Sequence, residues 1–375
     1  MSFVSTFDKL NKGTLNKSHI LRRFESLLKR DSHIESMATE AYQLTRQYFG
    51  RTMRLFAPLY LSNECVNICK YCGFSRNNPI LRSTLSLDQV EAETRYLYDQ
   101  GFRSILLVAG EHPKFISESY LGDCIERIHP FVPSVNLEVG PLEQENYEPL
   151  VKAGADGLIV YQETYHRDTY RDMHVSGPKR NFDWRLECPE RAARAGFKRV
   201  GVGALLGLHD WRYEALMLAA HVEYLLKHCW KTFITISLPR MRPAAGEFEP
   251  LVHVNDREYT QILLAFRLCF PQIGIVLSTR EPAALRDGLM PLGITMMSAG
   301  SHTEPGGYTG QGKESLHRTE KGKHVPFMGS DSEFATEQFA ISDERSPLEI
   351  KEKLVALGLD PVWKDWDRGL SAVAA

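Results

Sequence analysis

Long apolar runs are missing from this chain. No stretch reaches the ~18 consecutive apolar residues of a membrane helix, and the start, Met1-Ser2-Phe3-Val4-Ser5-Thr6-Phe7-Asp8, lacks the apolar core of a secretory signal. An excess of one charge is missing as well. Lys and Arg number 45 against 47 Asp and Glu, a net of -2, so neither nucleic acid nor an anionic membrane is expected as a partner. The expectation is a cytoplasmic protein with reduced thiols. Seven cysteines is an odd count for crosslinking, and Cys124, Cys188, Cys229 and Cys269 stand singly inside helix-like patterns, where they read as small core residues. With 43% hydrophobic residues, the 375 positions can bury one large core or two ordinary ones.

The most informative shortage is a fourth cysteine beside the other three. Cys65-Val66-Asn67-Ile68-Cys69-Lys70-Tyr71-Cys72 places three thiols in one loop, with Gly73-Phe74 following. Thiolates are soft ligands suited to zinc or iron-sulfur clusters, and a closed structural site of either kind normally takes four protein ligands. Three leave a position open, as a catalytic metal requires. The alternative is a zinc knuckle closed by His112 or another remote residue. The C-x3-C-x-aromatic-C spacing resembles the signature of the radical S-adenosylmethionine (SAM) enzymes. That resemblance implies a [4Fe-4S] cluster on Cys65, Cys69 and Cys72, with SAM on the fourth iron and Tyr71 beside it.

Residues 1–52 read as helices. Ser18 can cap a segment with Ile20, Leu21, Phe24, Leu27 and Leu28 on one face, and a second carries Met37, Ala41, Leu44 and Tyr48 before Gly50. A strand over 54–61 runs into the cysteine loop. A unit then repeats, in which a helix ends near glycine and a short aliphatic run follows, predicting strands at 104–108, 135–139, 157–161, 199–202, 232–238, 274–278 and 294–297. Ser86 and Gln89 form a capping-box pattern for one intervening helix, and Asp210 to His228 carries a broad apolar face for another. Eight alternations of strand and helix predict an α/β fold, a (β/α)8 TIM-type barrel over 53–300 between the N-terminal helices and a C-terminal extension over 301–375; an open doubly wound sheet is the alternative. In the extension, His317-Arg318-Thr319-Glu320-Lys321 reads as a solvated face, and Ser346-Pro347 opens a last helix before Trp363-Lys364-Asp365-Trp366.

In such a barrel the C-terminal strand ends share one site. The second strand ends in Ala109-Gly110-Glu111-His112-Pro113, a tight turn presenting a carboxylate. The third ends at Glu138, and the fourth in Tyr161-Gln162-Glu163-Thr164-Tyr165-His166, more hydrogen-bonding groups than a buried strand needs; a salt-bridged rim is the alternative to a ligand site there. Gly201 and Gly203 in the fifth leave room for flat adenine or for close backbone contact. Arg280, beside the eighth-strand hydroxyls Ser298 and Ser301, can hold a carboxylate by its fork, or else is a rim arginine paired with Glu281; Arg240 and Arg242 are in reserve.

Together these motifs, from the N-terminal helices to Asp360-Pro361-Val362-Trp363-Lys364-Asp365-Trp366, resemble the aromatic amino-acid lyases of the radical SAM superfamily, on the tyrosine-cleaving branch that serves thiamine synthesis. The resemblance implies that Glu111 meets the SAM ammonium, that Gln162 and Glu163 lie nearer its ribose, that Glu138 also contacts the cofactor, and that Arg280, Ser298 and Ser301 hold tyrosine. It implies cleavage of the tyrosine Cα–Cβ bond to p-cresol and dehydroglycine, with a thiazole synthase as receiving partner and a flavodoxin- or ferredoxin-type electron donor. A hydrogenase-maturation relative carries a second cluster on three C-terminal cysteines; here the last is Cys269, so that chemistry is not expected. A tryptophan lyase remains open, as does a non-enzymatic zinc or iron-sulfur scaffold, though the latter leaves Glu111, Gln162, Glu163 and Arg280 unexplained.

Overall fold

In the computed structural model, which describes residues 2–29, 33–326 and 334–363, parallel strands pair in chain order. They are Thr52–Ser62, Ser104–Ala109, Ser134–Glu138, Ala155–Glu163, Arg199–Ala204, Phe233–Ser237, Gly274–Leu277 and Met296–Ser298, and the last pairs back onto the first through Arg54 with Met296 and Phe56 with Ser298. That closure is a barrel and excludes the open doubly wound sheet. The eighth strand starts two residues later than its aliphatic run, because Thr295 spends its hydroxyl and N–H on the backbone of Ile275 at the turn. Among the described residues no helix is long and apolar enough to cross a membrane.

The two faces of each strand differ in kind. Outward residues such as Ile105, Leu107, Val135, Leu137, Leu158, Val200 and Ile234 are buried beneath the helices. Inward residues mix polar Asn136, Arg199, Thr235 and Ser237 with apolar Phe56, Leu106, Ile159, Val276 and Met296, and they border a narrow interior space. Glycine contributes to that space. A Cβ on inward-facing Gly203 would lie 2.0 Å from the Ser237 carbonyl oxygen, so close backbone contact is what this glycine permits.

Three helices, Phe3–Asn11, His19–Leu27 and Ile34–Phe49, precede the barrel. Ser18 caps the second by accepting from the Leu21 N–H at 3.1 Å, as its sequence suggests. The buried stripe is narrower than expected: Leu21, Phe24 and Leu28 are covered while Ile20 is exposed, and Thr45 joins Met37 and Ala41 in place of Tyr48. Phe24 meets Phe266 edge-on at 4.7 Å and Phe270 at 6.3 Å, so the stripe that is covered centres on this ring.

The extension is not simply a solvated face. His317–Glu320 and Lys323–Val325 form a hairpin that pairs antiparallel with Ile80–Arg82, just after the cysteine loop. Arg318, Glu320 and Lys321 are exposed as expected, but Thr319 is buried and accepts from Arg82 Nε at 2.7 Å, and His317 lies 2.7 Å from the Glu64 carboxylate. Alternation of side chains along a strand produces this split. The Pro347–Ala356 helix has Ser346 at its cap, and Asp360–Val362 adds a ninth strand beside the first. Trp363 packs edge-on against Phe102 at 5.0 Å; residues 364–366 of the tail motif lie outside the described residues.

A buried ion pair, Arg286 with Asp343 at 2.5 Å, fastens the extension to the barrel, with Arg345 on the same carboxylate at 2.6 Å. Removing one partner strands a charge away from water. Asp343→Ala is therefore expected to cost about 3–5 kcal/mol of stability, read as a lowered urea midpoint; a midpoint within error of the unmodified chain would contradict the role given to this pair.

Candidate active site at the mouth of the barrel

The cysteine loop owes its shape to hydrogen bonds on its backbone. Arg82, fully buried, donates to the carbonyls of Asn63, Phe74 and Ser75, the last at 2.9 Å. Asn78 Nδ2 donates to the Cys72 and Gly73 carbonyls at 3.1 and 3.0 Å, and Ile68–Cys69 pairs antiparallel with His174–Ser176. Gly110 completes the fit. A Cβ there would lie 2.2 Å from the Glu64 carbonyl oxygen, so only glycine lets the second strand end pass the loop.

Cys65, Cys69 and Cys72 line one cleft of about 590 Å³ together with Glu111, Glu138 and Glu163. Burial pushes the Cys69 and Cys72 thiols up; the nearby Lys179 ammonium pulls them down, and the neighbouring thiols oppose it. Three soft donors on one cleft, with no fourth thiol or imidazole lining it among the described residues, fit a cluster that keeps one corner open. His112 does not close the set. Its ring packs edge-on against Phe115 at 4.7 Å and its Nδ1 accepts from the Lys114 N–H, because the turn after Gly110 carries it away from the thiols.

Asn67 joins the parts. Its Nδ2 donates to Glu111 Oε2 at 2.7 Å and lies 3.7 Å from Cys65 Sγ, while its Oδ1 accepts from the Lys179 N–H at 3.0 Å. Glu163 enters the cleft from a strained turn: its φ is +69°, and the Thr164 N–H reaches back to the Gln162 carbonyl at 2.9 Å. The buried Glu214 braces that turn by accepting from the Tyr165 N–H at 2.7 Å. Burial would raise the Glu163 pKa, but Lys179 at 2.7 Å and Arg185 at 3.6 Å outweigh it and hold the carboxylate below its usual range.

Gln162, one residue earlier on the strand, faces outward. Its amide donates to the Phe182 carbonyl at 3.3 Å and does not line the cleft, so the strand's alternation separates it from Glu163. Tyr71 borders an adjoining space, its hydroxyl 2.8 Å from His174 Nε2. Lys179 and Arg185 were not legible beforehand. They lie on two short helical turns after the fourth strand, Pro178–Arg180 and Phe182–Leu186.

A second chamber, of about 560 Å³, continues from the cleft into the barrel and is bordered by Glu138, Tyr161, Arg280, Ser298 and Ser301. Arg280 stacks 3.4 Å from the Phe339 ring centroid, and among the described residues no carboxylate lies within ion-pair distance of it. The rim pair with Glu281 does not form. Glu281 is held by Arg240 at 2.8 Å, and Arg240 is also paired with Asp256, which commits that reserve arginine to structure. Arg242 borders the space between the two chambers. Ser298 Oγ accepts from the Thr279 N–H at 3.2 Å; the Ser301 hydroxyl is buried with no partner among the described residues. Gln338 of the extension borders both the cleft and the chamber and accepts from the Tyr60 hydroxyl at 2.8 Å, while Phe339 borders the chamber.

Residues 59–220 match the Radical SAM superfamily, and residues 237–360 match the Biotin and Thiamin Synthesis associated domain. The chain is 41% identical over 336 residues, 89% of its length, to the 2-iminoacetate synthase of Escherichia coli (strain K12), of which 84% is covered. It belongs to the 2-iminoacetate synthase family of radical SAM lyases. The Salmonella typhimurium 2-iminoacetate synthase is 42% identical over 90% of the chain and 84% of its own length. In structure, the [FeFe]-hydrogenase maturase HydG of Carboxydothermus hydrogenoformans superposes with a TM-score of 0.81 at 34% identity, covering 97% of this chain and 80% of that one. The cofactors of a 2-iminoacetate synthase are a [4Fe-4S] cluster and SAM.

The contact at Gly110 gives a direct check. Gly110→Ala pushes a methyl group into the backbone beside Cys65, and overpacking of this kind costs about 1–3 kcal/mol. Thermal unfolding of the variant is expected at a lower temperature than the unmodified chain, and an unchanged transition would mean that the strand end and loop part easily.

Proposed function

We propose that this chain is a tyrosine lyase, cleaving the Cα–Cβ bond of tyrosine to p-cresol and dehydroglycine (2-iminoacetate). The observation that carries the reading is the continuity of the three-thiol cleft with a chamber bordered by a guanidinium, Arg280, that forms no ion pair among the described residues. The names of the relatives agree with it. Cys65, Cys69 and Cys72 would hold the cluster. A reduced cluster held there, with SAM beside it, would supply the hydrogen-abstracting radical chemistry, and the residues around it would present the tyrosine amino group to that chemistry.

The protein's own residues bind, orient and shield. Glu111, fixed by Asn67, takes the SAM ammonium, and Lys179 and Arg185 supply positive charge for its carboxylate. Glu163, which lines the cleft, would meet the ribose in place of the outward-facing Gln162. The tyrosine carboxylate cannot be buried without a cation, and Arg280 supplies one, with Ser298 and Ser301 beside it. Dehydroglycine reacts with water, which favours handover to a thiazole synthase in the cytoplasm, with reduction by a flavodoxin- or ferredoxin-type donor.

The test is anaerobic reconstitution with iron and sulfide, followed by p-cresol and 5′-deoxyadenosine measured together. Alanine at Cys65, Cys69 or Cys72 is expected to abolish both. Glu111→Ala loses a charge-assisted hydrogen bond of roughly 1.5–3 kcal/mol, so the SAM dissociation constant should rise more than about tenfold. Arg280→Lys keeps the charge and loses the fork, so p-cresol release should fall with the cluster spectrum unchanged. Consumption of tryptophan or another amino acid in place of tyrosine would refute the tyrosine reading.

A further inference from the structure

Glu138 is the acid of this site that nothing holds. Its carboxylate, at the end of the third strand, makes no hydrogen bond or ion pair among the described residues, whereas Glu163 is held by Lys179, Glu111 by Asn67 and Glu281 by Arg240. It borders both the three-thiol cleft and the chamber with Arg280. Glu138 and Arg280 therefore present opposite charges to one space without pairing with each other. That is the arrangement an amino-acid zwitterion fits, its carboxylate on the guanidinium and its ammonium on the carboxylate.

Chemistry adds a requirement that rests on the tyrosine-lyase reading above. Hydrogen is taken from the amino nitrogen, and taking it from an ammonium would leave a cationic radical in a buried chamber. A neutral amine leaves a neutral one. A proton must go first. We infer that Glu138 is the base that accepts it: the N–H bond of the substrate ammonium breaks with its electron pair kept on nitrogen, and the proton joins a Glu138 carboxylate oxygen. The products are a neutral amine and a carboxylic acid, and no electrons change hands.

The surroundings suit that task. Burial and the Glu163 carboxylate push the Glu138 pKa up to about 7, against Arg280, Lys179 and Arg185, which pull it down. The phenols of Tyr60 and Tyr161 also face it, and burial keeps both neutral. A base poised near neutrality is effective in both directions of transfer.

The test uses the reconstituted holoenzyme with SAM and tyrosine. Glu138→Gln should lower p-cresol release at neutral pH by about 100-fold or more, while tyrosine binding, followed by calorimetry, weakens by no more than about tenfold. The deficit should then shrink by up to about tenfold per pH unit as solvent itself deprotonates the amine, a rescue that a merely structural role would not give. Glu138→Ala should recover part of its activity with formate and none with chloride. A deficit independent of pH, or full activity in Glu138→Gln, overturns the assignment; if that variant fails to hold iron, absence of formate rescue in Glu138→Ala does so instead. No p-cresol from the unmodified protein overturns the tyrosine reading and this inference together, whereas p-cresol from it with a pH-independent Gln variant overturns this inference alone.

Discussion

One buried guanidinium organises the site. Arg82 reaches the carbonyls of Asn63, Phe74 and Ser75 on the two sides of the cysteine loop, and Thr319 of the extension accepts from its Nε. Burying that charge is tolerable because it is spread over backbone oxygens that would otherwise lack donors. The consequence is a loop held from outside the cleft, with its three thiols turned to the cleft wall. The same residue makes the hairpin of the extension part of the loop's support.

The barrel divides its labour by strand face. Outward residues are aliphatic and seal against helices, and stability comes from that layer. Inward residues mix large apolar side chains such as Phe56, Leu106, Ile159 and Met296 with polar ones such as Asn136, Arg199 and Thr235, and the polar groups gather toward the functional mouth and the interior space. The acids and bases of the mouth are arranged so that most neutralise one another, as in Glu163 with Lys179 and Arg240 with Glu281. Glu138 and Arg280 are exceptions, and they face the same chamber.

Much of this was legible in the sequence, for reasons that name its limits. The eight strands were visible because a parallel strand covered on both faces is a run of aliphatic residues, and Gly154 and Gly196 end their helices in the left-handed conformation that only glycine adopts cheaply. Cys65, Cys69 and Cys72 were visible because three thiols at close spacing have few uses. Gln162 was misplaced because neighbours on a strand face opposite ways, and spacing alone does not say which of the two turns inward. Lys179 and Arg185 escaped because they lie on two short helical turns, Pro178–Arg180 and Phe182–Leu186, whose position follows from the preceding His174–Ser176 pairing with Ile68–Cys69, a contact across more than a hundred positions. His317 and Thr319 escaped because a hairpin of polar residues has the composition of a loop.

The first strand has the last barrel strand on one side, and its opening residues pair with Asp360–Val362. Those contacts join positions some 240 to 310 apart in the chain, so they form only after nearly all of it has been synthesised. Until then the first strand is an open edge, and the thiols that follow it have neither Gln338 beside their cleft nor their brace at Thr319. The surroundings of the thiol loop are thereby complete only once the C-terminal extension has folded back onto the first strand.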